Sequence, residues 1–482
     1  MGYGVIGSPA DSGSVSLGSS PGTPAQYRSK KICTRAPSSS GLGLWLLKPA
    51  TRVRIPSGLR TVLFCNTILR RQLVVRVITP EQLPSVLATL PANPRFIASG
   101  NFATPHTLLK AADEHLETFT LHMLNAHPGI PDREGITYES AFVGPAMRRH
   151  PRLNYIPSRL SLLPIVIRDH ARPDAVFIHT STPRFDTVSL GTEVNILPAA
   201  IESARAHGGI VIAQANKQMP YTYGDAQIYE SEIDYLVEID EPLMEKQETS
   251  FADASVAIGD RIASLIEDHS TLQLGIGAVP DSVLMALAKR KGLRIWTEMF
   301  SDGVYNLHKL GVLDPDVLIT ASFVFGSQEM YQWMHLNRRI QMLRTERTND
   351  PSAIAKQAKM QSINAALEVD LFDQANASFV RGQVYSGFGG STDFIVGSLH
   401  SRGGRSFIAL PSWHPKANVS AIVPKLSGNI TSFQHSFVVT EQGAAACFGQ
   451  SQSQQAKNLI EKAAHPDARE QLSAAAKEMK LI

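Results

Sequence analysis

Cysteine is scarce: the 482 residues hold three, Cys33, Cys65 and Cys447, odd in number and far apart. That argues against a disulfide scaffold and a zinc motif, and it suits a reducing compartment. Long apolar runs are lacking as well. The nearest, Leu160 to Ile167, is broken by Pro164 and falls well short of the roughly 20 apolar residues of a membrane span. Acidic residues are nearly absent from the beginning of the chain, where residues 1–76 hold eleven Lys/Arg and one Asp. Taking that +10 from the formal +3 leaves −7 for residues 77–482. The remainder is mildly acidic and offers no basic footprint for nucleic acid.

What is present describes a soluble globular protein, with 43% hydrophobic and 18% charged residues. The length suits two or three domains, each with its own core. Residues 1–76 are rich in Gly, Ser, Pro and Arg and show no sustained periodicity. They are expected to be a disordered extension, or one added by a start site assigned too early. Arg52 to Gly58 resembles one reading frame of the T-arm of a transfer-RNA gene, which favours the second possibility and a true start near Val74 or Val75.

From Pro80 strands and helices alternate. A helix signal runs through Leu83 to Leu90, then a strand over Arg95 to Ser99 and a helix from Thr107. Ala175 to His179, Gly209 to Gln214 and Tyr235 to Ile239 read as strands, with an amphipathic helix over Leu197 to His207. This spacing predicts a parallel, doubly wound sheet. A second α/β unit is expected after Pro242, with a helix over Asp253 to Ile266 and a strand over Thr271 to Leu274. The expected domains are therefore 77–243 and 244–482, joined within the charged stretch Asp240 to Glu248.

Glu298 is the leading candidate for chemistry. A short buried strand over Leu293 to Thr297 is expected to end there and give way to a turn through Ser301, Asp302 and Gly303, and strand ends in α/β sheets face ligand rather than core. With an ordinary pKa near 4.3 the carboxylate would be ionised at neutral pH and need no base to act as a nucleophile. The bland alternative is a helix cap or a lysine pair. Two glycine loops accompany it. Gly275-Ile276-Gly277-Ala278 lies between a strand and a helix expected from Asp281, where main-chain N–H groups and the helix dipole favour an anion; a tight turn would look the same. Ser386-Gly387-Phe388-Gly389-Gly390 exposes backbone that can stabilise an oxyanion or contact a phosphate, or is a plain surface turn.

In this order, over residues 78–482, these segments resemble the acetyl-CoA hydrolase/transferase family of CoA-transferases. The motif Thr-Glu-Met-Phe-Ser-Asp-Gly is intact at 297–303, Gly-x-Gly-x-x-Pro at 275–280 and Ser-Gly-x-Gly-Gly-x-x-Asp-Phe at 386–394. The resemblance implies two doubly wound, mainly parallel α/β domains of the CoA-transferase type, with Glu298 as catalytic nucleophile and a glutamyl-CoA thioester as intermediate. It implies main-chain donors at Gly389 and Gly390, and coenzyme A contacts at Gly275, Gly277, Ala278 and Gly387. Ser386, Phe388, Tyr223 and Met299 are expected at the substrate. Coenzyme A is a co-substrate; no resident cofactor and no metal are expected. The partners expected are an acyl-CoA and a short-chain carboxylate, with no nucleic acid and no membrane, in a cytoplasmic homodimer.

The chain departs from the family at 440–450, where Thr-Glu-Gln-Gly-Ala-Ala-Ala-Cys-Phe-Gly-Gln lacks the usual Tyr, Asp, Arg and Lys. The acyl group and acceptor therefore stay open. Acyl-CoA hydrolysis, or CoA binding without turnover, are the alternatives. Glu441 is the rival nucleophile. His414 and His435, Asp302 and Asp393, and Cys447 are read as structural first.

Overall fold

The computed structural model describes residues 75–246, 252–275 and 277–482. The expectation for the N-terminal extension lies outside these residues, apart from Val75 and Arg76, and so does Ile276.

The first sheet has eight strands, all parallel: β1 (Arg76–Ile78), β2 (Arg95–Ala98), β3 (Phe119–His122), β4 (Ile136–Ser140), β5 (Leu153–Tyr155), β6 (Ala175–Ser181), β7 (Ile210–Asn216) and β8 (Tyr235–Ile239). Their order is β1-β8-β7-β6-β2-β3-β4-β5. A parallel strand is covered by helices on both faces, so its side chains are buried irrespective of parity. All seven residues of β6 are buried accordingly. Among the covering helices are α1 (Leu83–Leu87), α2 (His106–His115) and α3 (Leu197–His207). Helix α1 stops three residues short of the expected Leu90. Helix α3 ends at Gly208, whose φ of 85° is the left-handed conformation that stops a helix cheaply only at glycine.

The second half opens with α4 (Asp253–Leu265) and β9 (Thr271–Leu274), followed by α5 (Ala278–Ala286), β10 (Arg294–Ile295), β11 (Met299–Phe300) and α6 (Asp302–Lys309). After β12 (Phe323–Val324) come β13 (Met360–Ala365), α7 (Ser391–His400), β14 (Arg405–Ala409), β15 (Phe437–Val439) and β16 (Ala444–Ala446). A six-stranded sheet runs β10-β9-β13-β14-β15-β16, parallel except for its last pair. Helix α5 starts three residues before the expected Asp281. Pro280 occupies its first turn, where no N–H is needed for an intrahelical bond.

Each sheet reverses its winding once. In the first the chain leaves β2 toward β3, β4 and β5 and returns to β6 on the other side of β2. In the second it goes from β9 to β10 and then to β13 across β9. Such switch points open a crevice at the carboxyl ends of the strands. One apolar core joins both halves, running from Ile97 and Ile178 through Ile262 and Leu272 to Phe407 and Val439.

Candidate active site

The chain around Glu298 breaks one strand into two. Trp296 N–H donates to Leu272 O, Thr297 N–H to Thr320 O, and then the backbone shifts partners, so that Ser322 and Phe323 both donate to Glu298 O at 2.8 and 3.0 Å. Thr297 fixes the break from inside: fully buried, its Oγ1 accepts from Leu274 N–H at 3.2 Å and donates to Met299 O at 2.9 Å. Ser301 to Gly303 is not the expected turn but the start of α6. The first-turn carboxylate of Asp302 accepts from the Ser327 N–H at 3.1 Å and from its hydroxyl, so this acid holds a loop. Gly303 is required by contact, since a Cβ there would lie 2.4 Å from Leu284 Cδ1.

Among the described residues Glu298 neither caps a helix nor pairs with a cation. Its Oε2 accepts from Asn349 Nδ2 at 2.7 Å. The Asn349 Oδ1 accepts from Thr348 Oγ1 at 2.8 Å, so the one amide bridges Thr348 and Glu298. Burial pushes the Glu298 carboxyl up to about 7; the Asn349 bond pulls it down and the charge of Asp393 adds to the rise. The expectation of a fully ionised carboxylate at neutral pH is thus corrected: removal from water favours the neutral acid. Asp393, on α7, is itself pushed up to about 6 by burial, with Ser161 and Arg159 acting against the rise.

The loop 386–390 closes over this carboxyl. A Cβ on Gly390 would fall 1.8 Å from Glu298 Oε2 and 2.0 Å from Asn349 Nδ2, so only glycine permits the approach. Among the described residues, no protein acceptor takes the N–H of Gly389 or Gly390, while the Gly389 carbonyl accepts from Leu160. Gly387 has φ 116°, and its carbonyl accepts from Ser378 Oγ at 2.6 Å. Ser386 is bound into the scaffold through Ala377 O and Val143 N–H. Phe388 is half-buried in the same loop.

The loop after β9 enters the same crevice, because Leu274 is held by Thr297. Here one expectation needs correcting: the Gly275 N–H donates to Ile363 O at 2.9 Å, extending the ladder with β13, and is not open to an anion. Gly277 has φ 128° with open space where a Cβ would stand, and it precedes Ala278, the first residue of α5. Met299 packs with Phe323, Phe325 and Phe102, an apolar wall beside Glu298. Tyr223 sits apart, on a two-residue strand paired with Gln341 of the Ile340–Met342 strand, which in turn pairs with the Ile319–Ala321 strand that neighbours Trp296.

The rivals fall away on geometry. Glu441 accepts from the Ser412 N–H at 2.9 Å and from its hydroxyl, is held below the ordinary carboxylate range by these bonds against its burial, and follows β15, four strands from β10 or about 19 Å at ~4.8 Å per strand. His435 is fully buried between Asp373 Oδ1 at 2.7 Å and Ser432 Oγ at 3.0 Å, with no route to water. Cys447 is buried in an apolar cluster that pushes its thiol far up, as a filler rather than a nucleophile.

Sequence reasoning missed Asn349, which holds the Glu298 carboxyl, and Glu193, a buried acid whose backbone bridges Phe323. Neither lies in a glycine-rich or strand-end motif, and only tertiary contact reveals them.

With the geometry established, comparison with known proteins decides the family. A family model, the acetyl-CoA hydrolase/transferase C-terminal domain, matches residues 326–476. The 4-hydroxybutyrate coenzyme A transferase of Clostridium kluyveri is 36% identical over 386 residues, 76% of this chain and 89% of that protein. The chain belongs to the acetyl-CoA hydrolase/transferase family. Another member, a succinyl-CoA:acetate/propanoyl-CoA:succinate CoA transferase of Fasciola hepatica, is 36% identical, covering 78% of this chain and 83% of its own. The crystal structure of RipA from Yersinia pestis superposes with a TM-score of 0.78 at 31% identity, over 84% of this chain and 98% of that one. Membership extends the match well beyond residues 326–476, to both sheets that line the crevice. Among the described residues no helix is long and apolar enough to cross a membrane.

Proposed function

We propose that this enzyme moves coenzyme A between a short-chain acyl-CoA and a carboxylate, with Glu298 as the nucleophile. A Glu298 oxygen adds to the thioester carbonyl, the C–S bond breaks, and a mixed anhydride and CoA thiolate result. The thiolate adds to the Glu298 carboxyl carbon and expels the first carboxylate, leaving a glutamyl-CoA thioester. An incoming carboxylate takes that carbon over and releases the thiolate, which attacks the new anhydride and frees Glu298. Charge moves from oxygen to sulfur and back, so no net proton is needed.

The observation that carries this reading is the Glu298 carboxyl aimed by Asn349 at a glycine loop whose Gly389 and Gly390 N–H groups are unengaged. Each addition passes through a tetrahedral oxyanion, and removing one aimed donor typically costs about 10²–10³ in rate. The open backbone at Gly277 and Ala278, at the N-terminus of α5, suits the CoA phosphates or pantetheine amides. Gly387, Ser386 and Phe388 frame the entrance, and Met299 with Phe102 offers an apolar face to the acyl chain. No resident cofactor enters the scheme. A cytoplasmic homodimer belongs to the same reading, the compartment supported by the scarcity of cysteine and the assembly by family resemblance alone.

Intact-protein mass spectrometry after incubation with butyryl-CoA tests it. The wild type gains a CoA-sized adduct and Glu298→Ala does not. A variant that still gains the adduct, or a wild type that binds CoA without one, overturns the proposal.

A further inference from the structure

Asp225 lies between β7 and β8 and has no part in the scheme above, yet it is tied to the segment that delivers Asn349. It ends a stretch laid against the Ile340–Met342 strand, where Tyr223 pairs with Gln341 and Gly224 with Met342. Only glycine fits at 224, with φ 94° and a Cβ position 2.6 Å from Met342 O. The Asp225 N–H donates to that same carbonyl at 2.8 Å. Its carboxylate then reaches past the strand. Oδ2 accepts from the Arg344 N–H at 3.1 Å, and Oδ1 accepts from Arg347 Nη1 at 2.7 Å.

Arg344 opens a single helical turn, Thr345–Thr348, to which Arg347 belongs and which Asn349 follows directly. One turn is unstable alone, because nucleating a helix fixes several residues for one hydrogen bond, and Arg344 brings no capping side chain of its own. The turn is held from outside instead. Thr345 N–H donates to Asn195 O at 3.0 Å, Trp296 Nε1 donates to Thr348 O at 3.0 Å, and Asp225 takes Arg344 and Arg347 together. Asn349 N–H closes on Thr345 O at 2.9 Å, and the Asn349 amide donates to Glu298 Oε2 at 2.7 Å. From Asp225 to Glu298 the path therefore runs through two arginines, one turn and one amide. The other acid at this corner, Glu202 on α3, pairs with the Arg344 guanidinium at 2.6 Å. Its side chain is 64% exposed against 21% for Asp225, and an exposed pair is screened by water and holds little.

We propose that Asp225 is a positioning residue for this reaction: it sets the turn that aims the Asn349 amide at the Glu298 carboxyl, so that its loss slows acylation and leaves coenzyme A binding intact. Asp225 touches Arg344 and Arg347 and acts on Glu298 through them. The leverage is geometric, since a displacement of about 1 Å in a contact to the reacting group can cost about 10²-fold in rate.

The inference rests on Glu298 as nucleophile, and its test separates the two. Single-turnover adduct formation from butyryl-CoA, followed by quenched flow and intact-protein mass spectrometry over a range of concentrations, gives a maximal rate and a half-saturating concentration. Asp225→Ala is expected to lower the maximal rate about 10-fold and to leave the half-saturating concentration within about twofold. In an Asn349→Ala background the same substitution is expected to cost less than about twofold, because the contact it positions is already gone. A merely structural residue would lose as much in either background. A wild-type maximal rate in Asp225→Ala, a shift confined to the half-saturating concentration, or an undiminished loss on top of Asn349→Ala overturns the role of Asp225 alone. A wild type that gains no adduct overturns the nucleophile, and this inference with it. Should Asp225→Ala not fold, Arg347→Ala removes the partner of Oδ1 from a side chain that is 55% exposed. It is expected to lower the maximal rate about 3-fold in the wild-type background and not in Asn349→Ala; an equal loss in both, or none in either, overturns the proposal.

Discussion

At the scale of residues, the carboxyl of Glu298 is a compromise between burial, which favours the neutral acid, and one amide donor, which favours the anion. Asn349 supplies that donor, and its own orientation is set by Thr348, which in turn accepts from Trp296 Nε1 at 3.0 Å. A hydrogen bond to a charged group is worth roughly 1.5–3 kcal/mol. Asn349→Ala is therefore expected to lower kcat/KM by about 10–100-fold. The sign of its pH effect follows as well. Without the donor the acid holds its proton longer, so the rising limb of the acylation profile moves to higher pH. A drop in rate with an unmoved limb would mean that Asn349 orients Glu298 without tuning it.

At the scale of elements, two loops and one broken strand build the site, and each is held by backbone bonds to its neighbours. The strand breaks at Glu298 because Ser322 and Phe323 share its carbonyl. The glycine loop comes within contact distance because Gly390 carries no side chain. Gly390→Ala is expected to abolish the adduct while leaving the thermal unfolding midpoint within a few degrees, since a Cβ 1.8 Å from Glu298 Oε2 displaces the loop rather than the core. Wild-type adduct levels in that variant would show that the loop sits elsewhere during turnover. The loop after β9 is more exacting than its glycines suggest: Gly275 is used by the sheet, which leaves Gly277 and the first turn of α5 for a ligand.

At the scale of the whole molecule, both sheets contribute their switch points to one crevice. Asn101 follows β2 at the reversal of the first sheet and reaches Glu193; Glu298 follows β10 at the reversal of the second. An acyl-enzyme made there can be released by a carboxylate or by water. Among the described residues no histidine hydrogen-bonds to Glu298, and His435 is sealed between Asp373 and Ser432, which favours the carboxylate. Free CoA formation from butyryl-CoA is expected to stay low with no acceptor, and acetate or propionate is expected to speed formation of the new acyl-CoA at least 10-fold. Butyryl-CoA breakdown independent of either acid would make the enzyme a hydrolase.

Much of this was legible in one dimension. Parallel strands buried on both faces announce themselves as short apolar runs between helical periods, so β6, β8, β9 and α3 are readable from local pattern. The motif around Glu298 also marked that residue as the candidate and pointed to its two loops, because glycine spacing and strand ends are local properties. Tertiary structure alone decided the rest. Asn349 stands 51 positions from Glu298 in the chain, with no local signature, and meets it only through packing. The protonation of Glu298 was equally out of reach, since a carboxyl's affinity for its proton depends on how much water the fold removes around it.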